Sequence, residues 1–205
     1  MLEEGERGRT SRGERTAARL REAARDVFAT HGYAIARVED IVAVAGVSHG
    51  TFYTYYQNKA AILDALVDEA AGRLRAVVEE PWEGDDVAST IRDVIARFVD
   101  TLADEGDVIG AWIEAAAHDL DFRDRLRDVR GEYTETVARH LTPALAGTGH
   151  DPTVAAGALV AMVEGYTTDR LAAAGSSERE SAVTTLAEIW MGGLVRLSTG
   201  GSGRS

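Results

Sequence analysis

The chain has 205 residues, 45% hydrophobic and 27% charged, which suits one large domain or two small ones and excludes a peptide or disulfide scaffold. With no cysteine there is no disulfide framework, thiolate metal site or cysteine nucleophile, a composition compatible with a reducing cytoplasm. A net charge of −12 would repel phosphate if it were uniform, but residues 1–59 hold nine Arg and Lys against eight Asp and Glu, while residues 60–205 hold 13 against 26.

Seven arginines and two glutamates lie between Arg7 and Arg25. This basic stripe is either a solvated helix face or part of a nucleic-acid contact. The start, Met1-Leu2-Glu3-Glu4, lacks an apolar segment behind a basic end, so no secretory signal is expected. The longest uncharged apolar run, Val154 to Val163, falls short of the ~18 residues a membrane span requires. A cytoplasmic protein with no membrane partner is expected, with residues 1–13 a disordered basic arm and 199–205 a disordered tail.

Apolar residues recur at helical spacing almost throughout, and no alternating run bounded by turns suggests a strand, so the fold class is all-α with about nine helices. The first helix is expected over 13–30, with Ala17, Leu20, Ala24, Val27 and Phe28 on one face and Gly32 at its C-cap. A short helix follows over 38–45, closed by Gly46. Ser48 caps another over 49–56, and Asn58 caps a long one over 59–80 that stops before Pro81. Further helices are expected over 86–104, 108–118 and 122–141, the last bounded by Pro143. Asp151 and Pro152 open a helix to Ala174, and Ser177 with Glu180 opens the last, through Leu197.

The stretch 38–56 carries the chemistry. Two short helices are joined by Ala45-Gly46-Val47-Ser48, which is helix-turn-helix spacing. From the turn alone an ordinary helical corner is the better reading. The second helix changes the balance, because a glycine, two threonines and four aromatics in eight positions make a poor helix former. Phe52 and Tyr56 sit four apart and suit a core. His49, Thr51, Tyr53, Thr54 and Tyr55 are left to face outward, Gly50 permits close approach, and the amides beyond Ser48 suit phosphate.

Gly32-Tyr33, Val38-Glu39-Asp40-Ile41, Ala45-Gly46-Val47-Ser48-x-Gly50-Thr51-Phe52-Tyr53-x-Tyr55-Tyr56-x-Asn58-Lys59 and Ile62-Leu63 together resemble the DNA-binding region of the TetR family of transcriptional regulators, over about residues 15–66. The resemblance implies a three-helix DNA-binding domain over 14–58, a connecting helix over 59–80, and a helical-bundle domain for ligand binding and dimerisation over 81–198. It also implies that Ser48, His49, Gly50, Thr51 and Thr54 face bases or adjacent phosphates. Tyr53 and Tyr55 would then contact the backbone and Lys59, the only lysine, would hold a phosphate. Family members usually carry small hydroxyl residues before Val38. This chain has Ala36 and Arg37 there, so Arg37 becomes either a phosphate contact or a solvated side chain.

One short recognition helix cannot specify an operator alone, so a second about one helical turn away is expected, which requires a homodimer on inverted-repeat double-stranded DNA. The stripes Leu159, Met162, Val163 and Val183, Leu186, Ile189, Trp190, Leu194 are the expected dimer seam, although any intramolecular bundle could use them. The resemblance further implies a repressor released by a small apolar or amphipathic inducer. Its expected lining is Phe98, Trp112, His118, Phe122, Tyr133, Met162 and Tyr166, each of which alone suits a core equally well. The rival is a metalloenzyme built on Glu114 and His118, four apart on a helix, but no second such pair, phosphate loop or nucleophile elbow accompanies them. No enzyme activity, cofactor or metal is expected.

Overall fold

The computed structural model describes the backbone of residues 2–82, 87–171 and 175–199, and the side chains of 13–82, 89–170 and 175–198. Among these residues there are nine α-helices and no strand: α1 (Leu2–His31), α2 (Val38–Ala45), α3 (His49–Tyr55), α4 (Lys59–Glu79), α5 (Val87–Asp104), α6 (Gly106–Ala116), α7 (Leu120–Leu145), α8 (Pro152–Tyr166) and α9 (Ser176–Thr199). They divide into two compact units. One contains residues 1–70 and 107–124, the other 71–106 and 125–205.

In the first unit the predicted stripe of α1 is the core, with Leu20, Ala24, Val27 and Phe28 buried against Ile41, Val42 and Ala45 of α2. Phe52 from α3 and Ile62, Leu63, Leu66 and Val67 from α4 are also buried in this unit. The helix ends follow from the capping residues the sequence offers. Gly32 and Gly46 take left-handed backbone, with φ of 74° and 62°, where a side chain would be strained. Ser48 accepts the Thr51 amide at 3.1 Å and Asn58 accepts the Ala61 amide at 2.9 Å.

Two expectations about this unit change. Helix α1 begins at Leu2, so residues 2–12 continue the helix and are not a separate arm. No proline interrupts them, and a helix already nucleated over 13–31 propagates cheaply. Moreover α6 and the first turn of α7, assigned by the sequence to the second domain, belong to this unit. Asp107 takes both ends of the Arg25 guanidinium at 2.8 Å, and Trp112 is buried with its indole N–H donating to the Phe122 carbonyl at 3.1 Å.

In the second unit α5 packs on α9, with Ile91, Val94, Phe98, Val99 and Leu102 buried. Glu105, 5% exposed, is paired with Arg73 at 2.6 Å, as a buried carboxylate requires. Pro143 does not stop α7, which continues to Leu145 because Leu141 and Leu145, four apart, are both buried. Helix α8 ends earlier than expected, passing into a single π-turn over Thr167–Leu171. The buried Thr167 hydroxyl donates to the Val163 carbonyl at 2.7 Å and competes with the regular ladder there. Helix α9 starts at Ser176, so Ser177 lies inside its first turn and Gly175 supplies the first carbonyl, to Arg179. The expected tail lies outside the described residues except Thr199, which ends α9.

Candidate nucleic-acid interface

Helix α3 is held by one side and open on the other. Phe52 is completely buried, with its ring 5.5 Å from Tyr53 and 5.9 Å from Tyr56, both non-parallel. Burying a phenyl ring of this size stabilises the helix by about 1.5–3 kcal/mol, enough to offset its poor propensity. Ser48, His49, Gly50, Tyr53, Thr54 and Tyr55 are exposed, and Thr51 is half-buried. Tyr53 is 56% exposed, an unusual position for a large ring unless something covers it. A Cβ at Gly50 would meet only the Ser48 hydroxyl, at 3.8 Å, so nothing inside the protein demands glycine there. Its missing side chain leaves the helix backbone open from outside.

The hydroxyls on this face are already organised. Ser48 and Thr51 exchange a hydrogen bond at 2.9 Å, and Thr54 donates to the Gly50 carbonyl at 2.9 Å. Arg37 is exposed and stands at the N-cap of α2, where its amide donates to Asp40 Oδ2 at 3.0 Å. A guanidinium has no acceptor, so Arg37 cannot return the capping bond and its charged end projects from the helix entry.

Several cations expected on this surface turn inward. Arg19 donates to the Ala45 carbonyl at 2.5 Å, closing the C-terminus of α2. Arg21 reaches the Tyr56 hydroxyl and pairs with Glu69 at 2.8 Å, and Arg25 is held by Asp107. The stripe is therefore structural over its second half, while the side chains of Arg7, Arg9 and Arg12 lie outside the described residues. Lys59 departs most from expectation. Its ammonium donates to the carbonyls of Tyr33, Ala34 and Ala36 at 2.7, 3.2 and 2.9 Å and lies 4.5 Å from the centre of the Tyr33 ring. Burial pushes its pKa down, with Glu114 acting against the shift.

Glu114 is a residue sequence reasoning weighed for another purpose. Its carboxylate accepts the amides of Tyr33 at 2.6 Å and Ala34 at 3.2 Å, so both oxygens are engaged by backbone and are not directed at His118, which is exposed. No group of three metal-ligating side chains occurs among the described residues.

The second unit holds an apolar cavity of about 30 Å³, lined by Trp82, Ile91, Ile95, Phe98, Val137 and Trp190 among others. Phe98 is the expected lining residue found there, with Tyr133 edge-on to it at 5.5 Å. Trp112, His118 and Phe122 are not, because they belong to the first unit. There Trp112 and Phe122 are core, the latter edge-on to Tyr33 at 6.1 Å. Met162 instead lines a groove of about 180 Å³ and, with Tyr166, another of about 750 Å³ along α8 and α9. The missed wall is Trp82, which stacks on His140 at 4.9 Å and meets Trp190 edge-on at 5.8 Å. Its indole nitrogen is buried and finds no acceptor among the described residues. An aromatic directly after Pro81 at a helix exit was the available signal.

Of the expected seam, Leu159, Val163, Val183 and Leu186 are buried within the chain itself. They fill the interior of the second unit because their spacing serves one bundle as well as two. Met162, Trp190 and Leu194 are half-buried, and Ile189 is 57% exposed. With Tyr166 they leave an apolar outer face on α8 and α9.

A short helix seated on one buried aromatic, entered through a glycine turn and presenting tyrosine, histidine and hydroxyl groups, has the build of a helix-turn-helix module. Residues 20–66 match the family model for bacterial regulatory proteins of the tetR family. The Fatty acid metabolism regulator protein of Bacillus subtilis (strain 168) is 29% identical over 126 residues, 60% of this chain and 65% of that protein. The chain covers less than two thirds of the length of the curated relatives it matches. Among solved structures, the fatty acid degradation regulator FadR from Bacillus halodurans superposes with a TM-score of 0.74 at 23% identity, covering 87% of this chain and 96% of that one. FadR from Bacillus subtilis in complex with stearoyl-CoA gives 0.71 at 21%, covering 86% and 98%. At these identities the likeness shows a shared fold. No helix among the described residues is long and apolar enough to cross a membrane.

Proposed function

We propose that the chain is a homodimeric repressor that reads an inverted-repeat operator through α3 and leaves it when an acyl ligand enters the second unit. The observation that carries the DNA-reading part is the exposed Tyr53 beside the fully buried Phe52, a reading face set on a fixed support. Ser48, His49, Gly50, Thr51 and Thr54 would meet base edges or phosphates, Tyr53 and Tyr55 the sugar-phosphate backbone, and Arg37 a phosphate. Dimerisation would use the outer face made by Met162, Tyr166, Ile189, Trp190 and Leu194.

The ligand reading is supported by the apolar cavity, by the Trp82 indole N–H beside it, which finds no acceptor among the described residues, and by the relatives named for fatty-acid metabolism and for a bound stearoyl-CoA. An apolar chain with one acceptor at its end matches that lining. The cavity as it stands admits about one small group, so a longer chain would have to part Trp82 from Trp190.

The test is selection of bound duplexes from a random library by the purified protein near physiological salt, beside a His49→Ala, Tyr53→Ala variant. Recovery of an inverted repeat that the variant loses supports the reading. Absence of enrichment over the variant rejects it. For the ligand, palmitate and palmitoyl-CoA are titrated into the protein–duplex complex. Release accompanied by a change in tryptophan emission supports an acyl inducer, and an unchanged complex rejects it.

A further inference from the structure

The turn between α1 and α2 is gripped from two sides within the first unit. On one side the Glu114 carboxylate, from α6, accepts the amides of Tyr33 and Ala34. On the other the Lys59 ammonium, at the start of α4, donates to the carbonyls of Tyr33, Ala34 and Ala36. An ammonium has three protons, and each here has a carbonyl, so none is left for a phosphate in this arrangement. The fit is close. A Cβ on Gly32 would lie 3.0 Å from a Glu114 oxygen, and the Tyr33 ring beneath the ammonium is wedged edge-on between Phe28 and Phe122.

We propose that Lys59 and Glu114 are positioning residues for DNA recognition and not DNA contacts: together they clamp residues 32–36, and so fix the point where the chain enters α2. The buried Ala36 and the N-cap Arg37 follow directly from the clamped turn. At its other end α2 is held by Arg19 on the Ala45 carbonyl, and its next turn leads into α3. With both ends of α2 fixed, the reading face meets DNA already oriented, and no contact energy goes into ordering it.

This rests on the reading of the chain as an operator-binding protein, and the measurements separate the two. Full-length wild type, Lys59→Gln and Glu114→Gln are compared on the selected duplex and on a mixed-sequence duplex over a range of salt, with helicity checked by circular dichroism. Each variant is expected to lose roughly tenfold in affinity for the selected duplex, as for one charge-assisted hydrogen bond. Mixed-sequence affinity and its salt dependence should match wild type, because no phosphate contact is removed. A log–log salt slope shallower by about 0.9 in Lys59→Gln would make Lys59 a phosphate ligand and overturn the proposal. So would unchanged affinity in Glu114→Gln. Hydrogen exchange supplies a test without DNA: the Tyr33 and Ala34 amides should be protected in wild type and exchange at least several-fold faster in Glu114→Gln. Unprotected amides in wild type would reject the clamp even if no operator were found.

Discussion

Phe52 and Tyr53 are neighbours in sequence with opposite duties, and the contrast is measurable. Phe52→Ala empties a fully buried site and should destabilise the fold by about 3–5 kcal/mol in urea unfolding. Tyr53→Ala removes a ring that is 56% exposed, and its effect on stability should stay within about 0.5 kcal/mol. Its effect on binding to the selected duplex should instead exceed tenfold by fluorescence anisotropy. Gly32→Ala is expected to destabilise by about 1–3 kcal/mol, since its φ of 74° strains any Cβ and the Glu114 carboxylate occupies the space. The capping roles of Ser48, Asn58 and Gly46 were legible in sequence because each acts within four residues of itself. Lys59 was not. Its partners lie 23 to 26 residues away, and the carboxylate opposite lies on α6, so no local pattern records the arrangement.

At the level of the helix, periodicity placed α2 to the residue and α4 to within one, with Gly46 closing α2, Asn58 opening α4 and Pro81 following its end. Periodicity failed where a long-range contact outweighed a local rule. Pro143 reads as a stop, yet two buried leucines carry α7 past it. Pro143→Ala should restore the missing amide and raise stability by about 1 kcal/mol or more in thermal or urea unfolding. Helix α6 shows the same thing at larger separation. Its amphipathic pattern was clear, but the side it packs on depends on Arg25 meeting Asp107, 82 positions apart. Asp107→Ala, by removing two hydrogen bonds of that half-buried guanidinium, should destabilise the first unit by about 1–3 kcal/mol.

For the whole molecule, the expected seam divides into residues that build one chain and residues that remain available to a second. Sequence could not separate them, because Leu159 and Met162, three apart, share one stripe and only packing decides which is covered. If the outer face of α8 and α9 joins two copies, Ile189→Glu should yield a monomer by sedimentation at micromolar concentration. Its circular dichroism should match wild type, since Ile189 is largely outside the core. The monomer should lose the selected duplex, one recognition helix being too small to specify a site alone. A dimer of unchanged mass would remove this face from the reading.

The inward-turned arginines bear on how such a protein finds its site. Arg19, Arg21 and Arg25 are bound within the fold, so these three arginines of the basic stripe add little to the contacts that bulk DNA offers. If the chain binds DNA as proposed, attachment to arbitrary sequence is briefer than it would be with those three arginines free. A genome presents millions of competing non-cognate sites, and a protein that most of them barely detain keeps a larger free fraction at any copy number. Under the proposed function, fewer molecules per cell then keep a single operator occupied.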